Sequence, residues 1–167
     1  LMKYVFFLLR FVFSVYAFLL FIILLLAVFP FVVIASFFGK LTGGNYIYII
    51  CRLWTDIQLL LCGMHHCNIY ESPHDPSKQY VFVFNHISYI DIPVIMKTLR
   101  QQHFRILGKA ELAKVPVFGF LYRNAVVLVD RSSPEKRAKS VRQLKSIINK
   151  AVSVVIAPEG TFNITHK

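Results

Sequence analysis

Acidic residues are scarce in this 167-residue chain: eight Asp and Glu stand against 19 Lys and Arg, a formal net charge of +11. So unbalanced a surface draws phosphates. Cysteine is scarce too. Cys51, Cys62 and Cys67 have no paired spacing, which excludes a disulfide framework and fits a reducing compartment. The cluster Cys62-Gly63-Met64-His65-His66-Cys67 holds soft ligands, but it lacks the regular spacing and second ligand pair of a zinc site, so no metal is expected. Charge is missing altogether from residues 11–38, and no internal repeat follows that apolar start.

What the chain has in excess is apolar side chains. They make up 56% of it, with 15% aromatic, and they are concentrated at the N-terminus. As a helix, residues 11–38 would run about 42 Å against a hydrocarbon core of about 30 Å, long enough to cross a bilayer. Pro30 divides the run and predicts a bend, hence a hairpin or re-entrant pair. Lys3 and Arg10 precede it, and Lys40 and Arg52 follow it. Basic flanks favour the cytoplasmic side, and having them at both ends argues against a simple crossing. The composition divides the chain into an apolar anchoring motif and linker over residues 1–44, with a turn-rich Gly39–Asn45, and a globular domain over 45–167.

Between Lys97 and Lys150 lie thirteen basic residues and three acidic ones, Glu111, Asp130 and Glu135. A nucleic-acid binder has no use for a long apolar run, whereas membrane lipids with anionic headgroups account for both features, so no nucleic-acid partner is expected. The C-terminal part of this basic stretch also reads as an amphipathic helix with Ala138, Val141, Leu144 and Ile148 on its buried stripe.

Periodicity predicts a helix over Tyr46–Leu61, strands over His66–Glu71 and Tyr80–Phe84, and a helix over Ile92–Leu99. A strand over Phe104–Leu107, a helix over Glu111–Tyr122 and a strand over Ala125–Val129 follow. A helix over Pro134–Lys150 and a strand over Val152–Ala157 complete the pattern. Such alternation implies the α/β class: a largely parallel or mixed sheet layered with helices, here preceded by the apolar helical motif.

Two of the strands run out in polar, turn-forming clusters, Asn85-His86-Ile87-Ser88-Tyr89-Ile90-Asp91 and Pro158-Glu159-Gly160-Thr161. In α/β proteins, strand ends are where chemistry is placed, and two such ends can share one site. Histidine changes charge near neutrality and is suited to taking a hydroxyl proton, while a carboxylate that accepts its ring N–H fixes the tautomer. Residues five apart do not share a helix face, so His86 and Asp91 must meet across a turn made by Ser88 and Tyr89. The same residues also read as a plain helix start, with Asp91 as cap before Ile92-Pro93. Taken alone, the motif leaves both readings open.

Three blocks in order resemble the glycerolipid acyltransferase family, and within it the bacterial 1-acyl-glycerol-3-phosphate acyltransferases. The first, N-H-x-x-x-x-D, is met by Asn85, His86 and Asp91 with Ser88; the second by Gly108-Lys109, Val115-Pro116-Val117-Phe118-Gly119 and Val129-Asp130-Arg131. The third is met by Pro158-Glu159-Gly160-Thr161 and broken by Phe162, where the family has arginine. The resemblance implies a glycerol-3-phosphate acyltransferase-like fold and an N-terminal two-helix motif that lies in one leaflet and borders the acyl groove. It also implies an enzyme with His86 as general base and Asp91 as its orienting partner, and it disfavours Ser88 as a covalent nucleophile. Substrate binding falls to Asn85, Ser88, Lys109 and Arg131, with Glu159, Gly160 and Thr161 shaping the glycerol and phosphate pocket.

The reaction so implied moves a fatty acyl group from acyl-CoA or acyl-carrier protein to lysophosphatidic acid at the cytoplasmic membrane face, giving phosphatidic acid, with no cofactor. Alternatives are another lysolipid acceptor, such as a lyso-aminolipid, since Phe162 removes one phosphate contact, and a non-catalytic binder of anionic lipid, which would not need His86 and Asp91. A fourth, proline-containing block follows in the family, and Leu1 precedes Met2 here, so the chain is expected to be a C-terminally incomplete fragment of a longer product.

Overall fold

A computed structural model describes residues 2–72 and 74–160. Helix α1 runs unbroken over Met2–Ser36, with mean hydropathy 3.2 in its most apolar window, and is long and apolar enough to cross a membrane. The break expected at Pro30 does not occur. A proline in an apolar helix removes one backbone donor, a loss that neighbouring packing can absorb, and Phe29 beside it stacks edge-on against Phe120. The chain reverses later, through a π-helical turn over Gly39–Gly43 in place of the expected loop, and enters α2, Gly44–Leu61.

Helix α2 returns along α1. Gln58 donates to the carbonyl of Ala17 at 3.1 Å, and the Tyr16 hydroxyl donates to the carbonyl of Leu61 at 3.0 Å. Its buried positions Ile47, Tyr48, Cys51, Trp54 and Leu59 form one apolar stripe. Arg52 is no membrane flank: its guanidinium donates to the carbonyls of Leu99 and Gln102 and so serves the domain.

The remaining elements are β1 (Val81–Val83), α3 (Asp91–Thr98), β2 (Phe104–Lys109), a 3-10 turn (Ala110–Lys114), α4 (Phe118–Ala125), β3 (Val127–Val129), α5 (Pro134–Ile148) and β4 (Ser153–Ile156). The four strands form one sheet in the order β1-β4-β2-β3, every pair parallel, as the α/β pattern requires. Registers pair Val81 with Val154, Phe104 with Ser153, and Leu107 with Val127. The last strand thus inserts between the first two, and the carboxyl ends of β1 and β4 become neighbours.

Three expectations fail locally. His66–Glu71 forms no strand and follows the end of α2 as irregular chain. The helix expected over Glu111–Tyr122 is split, because Pro116 lacks an amide and holds Val115 extended at φ −66°, ψ 128°. On α5, Ala138 and Val141 are exposed; Ser140 is buried there, with Leu144, Ile147 and Ile148 partly covered.

The core gathers Leu25, Val32 and Ala35 of α1 with Trp54 of α2, Met96 of α3, Phe104 and Ile106 of β2, and Leu121 of α4. For the large apolar side chains of the globular part, Met96, Phe104, Ile106 and Leu121, burial from water stabilises by about 1.5–3 kcal/mol each. At the α1–α2 turn sits Arg105, almost fully buried. It donates to the carbonyls of Leu41 at 2.7 Å and Phe104 at 2.8 Å and stacks over Tyr48. Burial pulls its pKa down; the carbonyls and the ring offset part of that cost. A Cβ on Gly44 would collide with this guanidinium, so a side chain there would displace Arg105 from its carbonyls.

Candidate active site

Strand β1 ends at Val83, and Phe84 still donates to the carbonyl of Ile156 on β4 at 3.2 Å. Pairing stops there and the chain turns toward α3. The turn is closed by Asp91 donating its amide to the carbonyl of Ser88 at 3.2 Å and by Ile90 donating to Ser88 Oγ at 3.3 Å. Across it, Asp91 Oδ2 lies 2.9 Å from His86 Nδ1, and the same oxygen accepts the amides of Ile87 at 2.8 Å and Ser88 at 2.9 Å. Of the two readings open in the sequence, the structure takes the histidine partner: Asp91 is the first residue of α3, Ile90 stands at the cap position with no side-chain cap bond, and the Asp91 carboxylate reaches back to His86 and the loop amides with a single oxygen.

Burial opposes ionisation of Asp91, but the amide of Ser88, the ring of His86 and the amide of Ile87 together outweigh it and hold the carboxyl below its usual range. At neutral pH this carboxylate only accepts, so Nδ1 of His86 carries the proton that joins them. Phe84 packs edge-on against the imidazole, with centroids 5.6 Å apart.

Glu159, on the loop after β4, accepts the His86 amide through Oε2 at 3.3 Å and so joins the two strand ends. Gly160 follows at φ +65°, and a Cβ there would lie 3.1 Å from both terminal nitrogens of Arg131. Arg131 comes from the end of β3. Its neighbour Asp130 accepts the amide of Ser132 at 2.9 Å and its hydroxyl at 2.6 Å, and pairs with Lys136 at 3.2 Å. The Ser132 bonds, aided by Lys136, bring the Asp130 carboxyl down to about 2.

Of the residues singled out in the sequence, His86, Asp91, Ser88, Glu159, Gly160 and Arg131 come together at the carboxyl edge of the sheet. Lys109 ends β2 on the same edge and is exposed, as is Asn85. Ser88 donates its amide to Asp91 and accepts from Ile90 through its hydroxyl, a turn-forming role. Thr161 and Phe162 lie outside the described residues. Asp130 stands in the second block with no role expected of it, although Asp-x-Ser before a proline-led helix is a turn signal that points to one.

Among the described residues no group of three His, Cys, Asp or Glu side chains comes together as metal ligands. Two cavities lie away from the histidine. One of about 390 Å³ is lined by Tyr70, His74, Lys97 and Arg100, and one of about 380 Å³ is an apolar cleft between Phe31, Ile34, Tyr46 and Ile49.

Comparison with known proteins bears on the edge as a whole. Residues 64–167 match the family described as Acyltransferase. A 1-acyl-sn-glycerol-3-phosphate acyltransferase of Cocos nucifera is 34% identical over 83 residues, covering 48% of this chain and 27% of that protein. The chloroplastic 1-acyl-sn-glycerol-3-phosphate acyltransferase BAT2 of Brassica napus is 23% identical over 141 residues, 84% of this chain and 39% of that one. The chain therefore spans well under half the length of these curated relatives. Both are plant proteins, and they give the expected bacterial subgroup no support. No solved structure matches.

Proposed function

The chain belongs to the acyltransferase family, and from that premise we propose that it moves a fatty acyl group from a thioester to the free hydroxyl of 1-acyl-glycerol-3-phosphate, giving phosphatidic acid. The observation that carries the reading is the three-way hold of Asp91 Oδ2 on the His86 ring and two amides, at a strand end beside Glu159.

With Nδ1 committed to Asp91, His86 works through Nε2. It takes the proton of the acceptor hydroxyl as the oxygen attacks the thioester carbonyl. Asp91 steadies the imidazolium that forms. The tetrahedral adduct then collapses, the carbon–sulfur bond breaks, and the imidazolium returns its proton to the departing thiolate. No acyl-enzyme is formed, in keeping with the use of Ser88 in the turn. Arg131 supplies a forked guanidinium for the acceptor phosphate, and Lys109 on the same edge adds a point charge. Glu159 and Gly160 serve by geometry: one fixes the loop that bears His86, the other leaves room for Arg131.

The apolar α1 brings this edge to the membrane that stores the acceptor. Basic residues at both ends of α1, Lys3, Arg10 and Lys40, favour the cytoplasmic face for the domain. The coding-length protein in bilayers, given labelled acyl thioester and a panel of lysolipids, is expected to convert lysophosphatidic acid. Conversion of a different lysolipid in its place would correct the acceptor, and absence of any acylated lipid would overturn the reaction.

A further inference from the structure

We propose that the exposed basic face of α5 is the docking surface for an acidic, water-soluble carrier protein that brings the acyl thioester to the site. This rests on the acyl-transfer reading above and names its donor. Lys136, Arg137, Lys139, Arg142 and Lys145 lie on the helix and Lys150 just beyond it, with Glu135 as the one acidic residue between Pro134 and Lys150. All are exposed. Among the described residues, the ion pair formed from this helix is Lys136 with Asp130, spent on the turn beside Arg131.

The face is not uniformly charged. Ala138 and Val141 are exposed at its centre, Val141 by 52%, and residues three and four apart on a helix are neighbours, so Arg142 and Lys145 border them. An apolar centre within a charged rim is how protein interfaces are built. The buried side of the same helix is Ser140, whose hydroxyl takes the Asp130 amide at 3.2 Å, with Leu144, Ile147 and Ile148 partly covered. The exposed apolar pair is therefore not a mislaid core stripe.

Position selects a soluble partner over a bilayer. Helix α1 packs on α2 and α4, and the core that joins it to the sheet takes no residue from α5, which packs on β3. The chain steps from β1 to β2 to β3 in one direction and returns from β3 to β4 in the other. Right-handed crossovers then put α5 on the sheet face opposite α3 and α4, away from the apolar helix. Its first turn nonetheless starts at the active edge, with Ser133 as cap two residues after Arg131. A carrier seated on α5 meets the enzyme from water and presents its thioester arm at the edge that holds His86.

The test uses the complete protein in detergent, wild type and a Lys139→Glu, Arg142→Glu, Lys145→Glu variant, with two donors: palmitoyl acyl-carrier protein and the small neutral thioester palmitoyl-N-acetylcysteamine. Binding of fluorescently labelled holo-acyl-carrier protein is read by anisotropy. Wild type is expected to bind with affinity that weakens as salt rises, and the variant to lose about tenfold or more. Carrier-dependent kcat/KM should fall with it, while the rate with the small thioester stays within about twofold.

Unchanged carrier binding in the variant would overturn the proposal, as would equal losses with both donors. So would a variant that loses only flotation with phosphatidylglycerol vesicles or retention of RNA. Wild type that binds the carrier yet acylates no lysolipid would sink the reading of the reaction and leave the docking surface standing. Wild type that acylates lysophosphatidic acid from the small thioester yet does not bind the carrier would do the reverse.

Discussion

Asp91 Oδ2 lies 2.9 Å from Nδ1 of His86 while accepting the amides of Ile87 and Ser88, so one carboxylate oxygen sets both the ring and the loop that carries it. Losing the ring and losing the carboxylate are therefore different injuries. Replacing His86 with alanine removes the base and leaves the turn to Asp91. Acyl transfer is expected to drop by about 10²–10⁴-fold with little change in melting, read as labelled phosphatidic acid formed per folded molecule. A folded His86→Ala protein with ordinary turnover would refute the mechanism.

Asp91→Asn keeps an oxygen for the amides but gives the ring no charge to lean on and permits the wrong tautomer. A fall of about 10⁴-fold in kcat is expected, read against KM for the acceptor, which should change little. A large rise in KM with kcat preserved would show that Asp91 serves binding and not proton transfer.

Acid should loosen the site in a definite window. The Asp130 carboxyl stands at about 2 in the folded protein, below its ordinary 3.8. Its contribution to stability is thus complete above pH 3.8 and lost as pH falls through about 2. Asp91, also depressed, acts in the same direction. In Asp130→Asn the acid slope of stability between those values should flatten, measured by thermal melting against pH in detergent. An unchanged slope would mean that the turn beside Arg131 is not held by this carboxylate.

Gly160→Ala tests the approach of Arg131. A residue with a Cβ at φ +65° is strained by roughly 1–2 kcal/mol, and the methyl would crowd both terminal nitrogens of the guanidinium. KM for the phosphorylated acceptor should rise more than kcat falls. A variant with normal KM would detach Arg131 from phosphate binding.

In the core, Phe104→Ala is expected to cost about 3–5 kcal/mol, because its ring is fully buried, edge-on to Tyr48 and under the Arg52 guanidinium. Chemical denaturation in mild detergent would read it.

The α/β class and the meeting of His86 with Asp91 were legible in the sequence because both depend on short-range patterns: alternating apolar runs, and a turn closed within six residues. The insertion of β4 between β1 and β2 was not, since strand order is a long-range choice that no local period encodes. Pro30 misled because proline's effect depends on what surrounds it. An amphipathic α2 and the aromatic rings of α4 pack against α1, which continues as one helix where the residue alone suggested a break. The stripe on α5 failed for a comparable reason: Ser140 is buried to hold the backbone of Asp130, a polar task that hydropathy reads as surface. The missing strand at His66–Glu71 has apolar members in Ile69 and Tyr70, but no neighbour among the described residues pairs with it.

Arg105 makes the apolar N-terminus hard to dispense with. Cutting the chain before Gly44 to obtain a water-soluble catalytic half would remove the Leu41 carbonyl that the guanidinium holds and strip α2 of its cover. A cation already at the foot of β2 would then have no acceptor outside its own strand, beside newly bared Trp54 and Ile47. Solubilising this protein is thus a problem of dressing α1 with amphiphile, and truncation is the wrong tool for it.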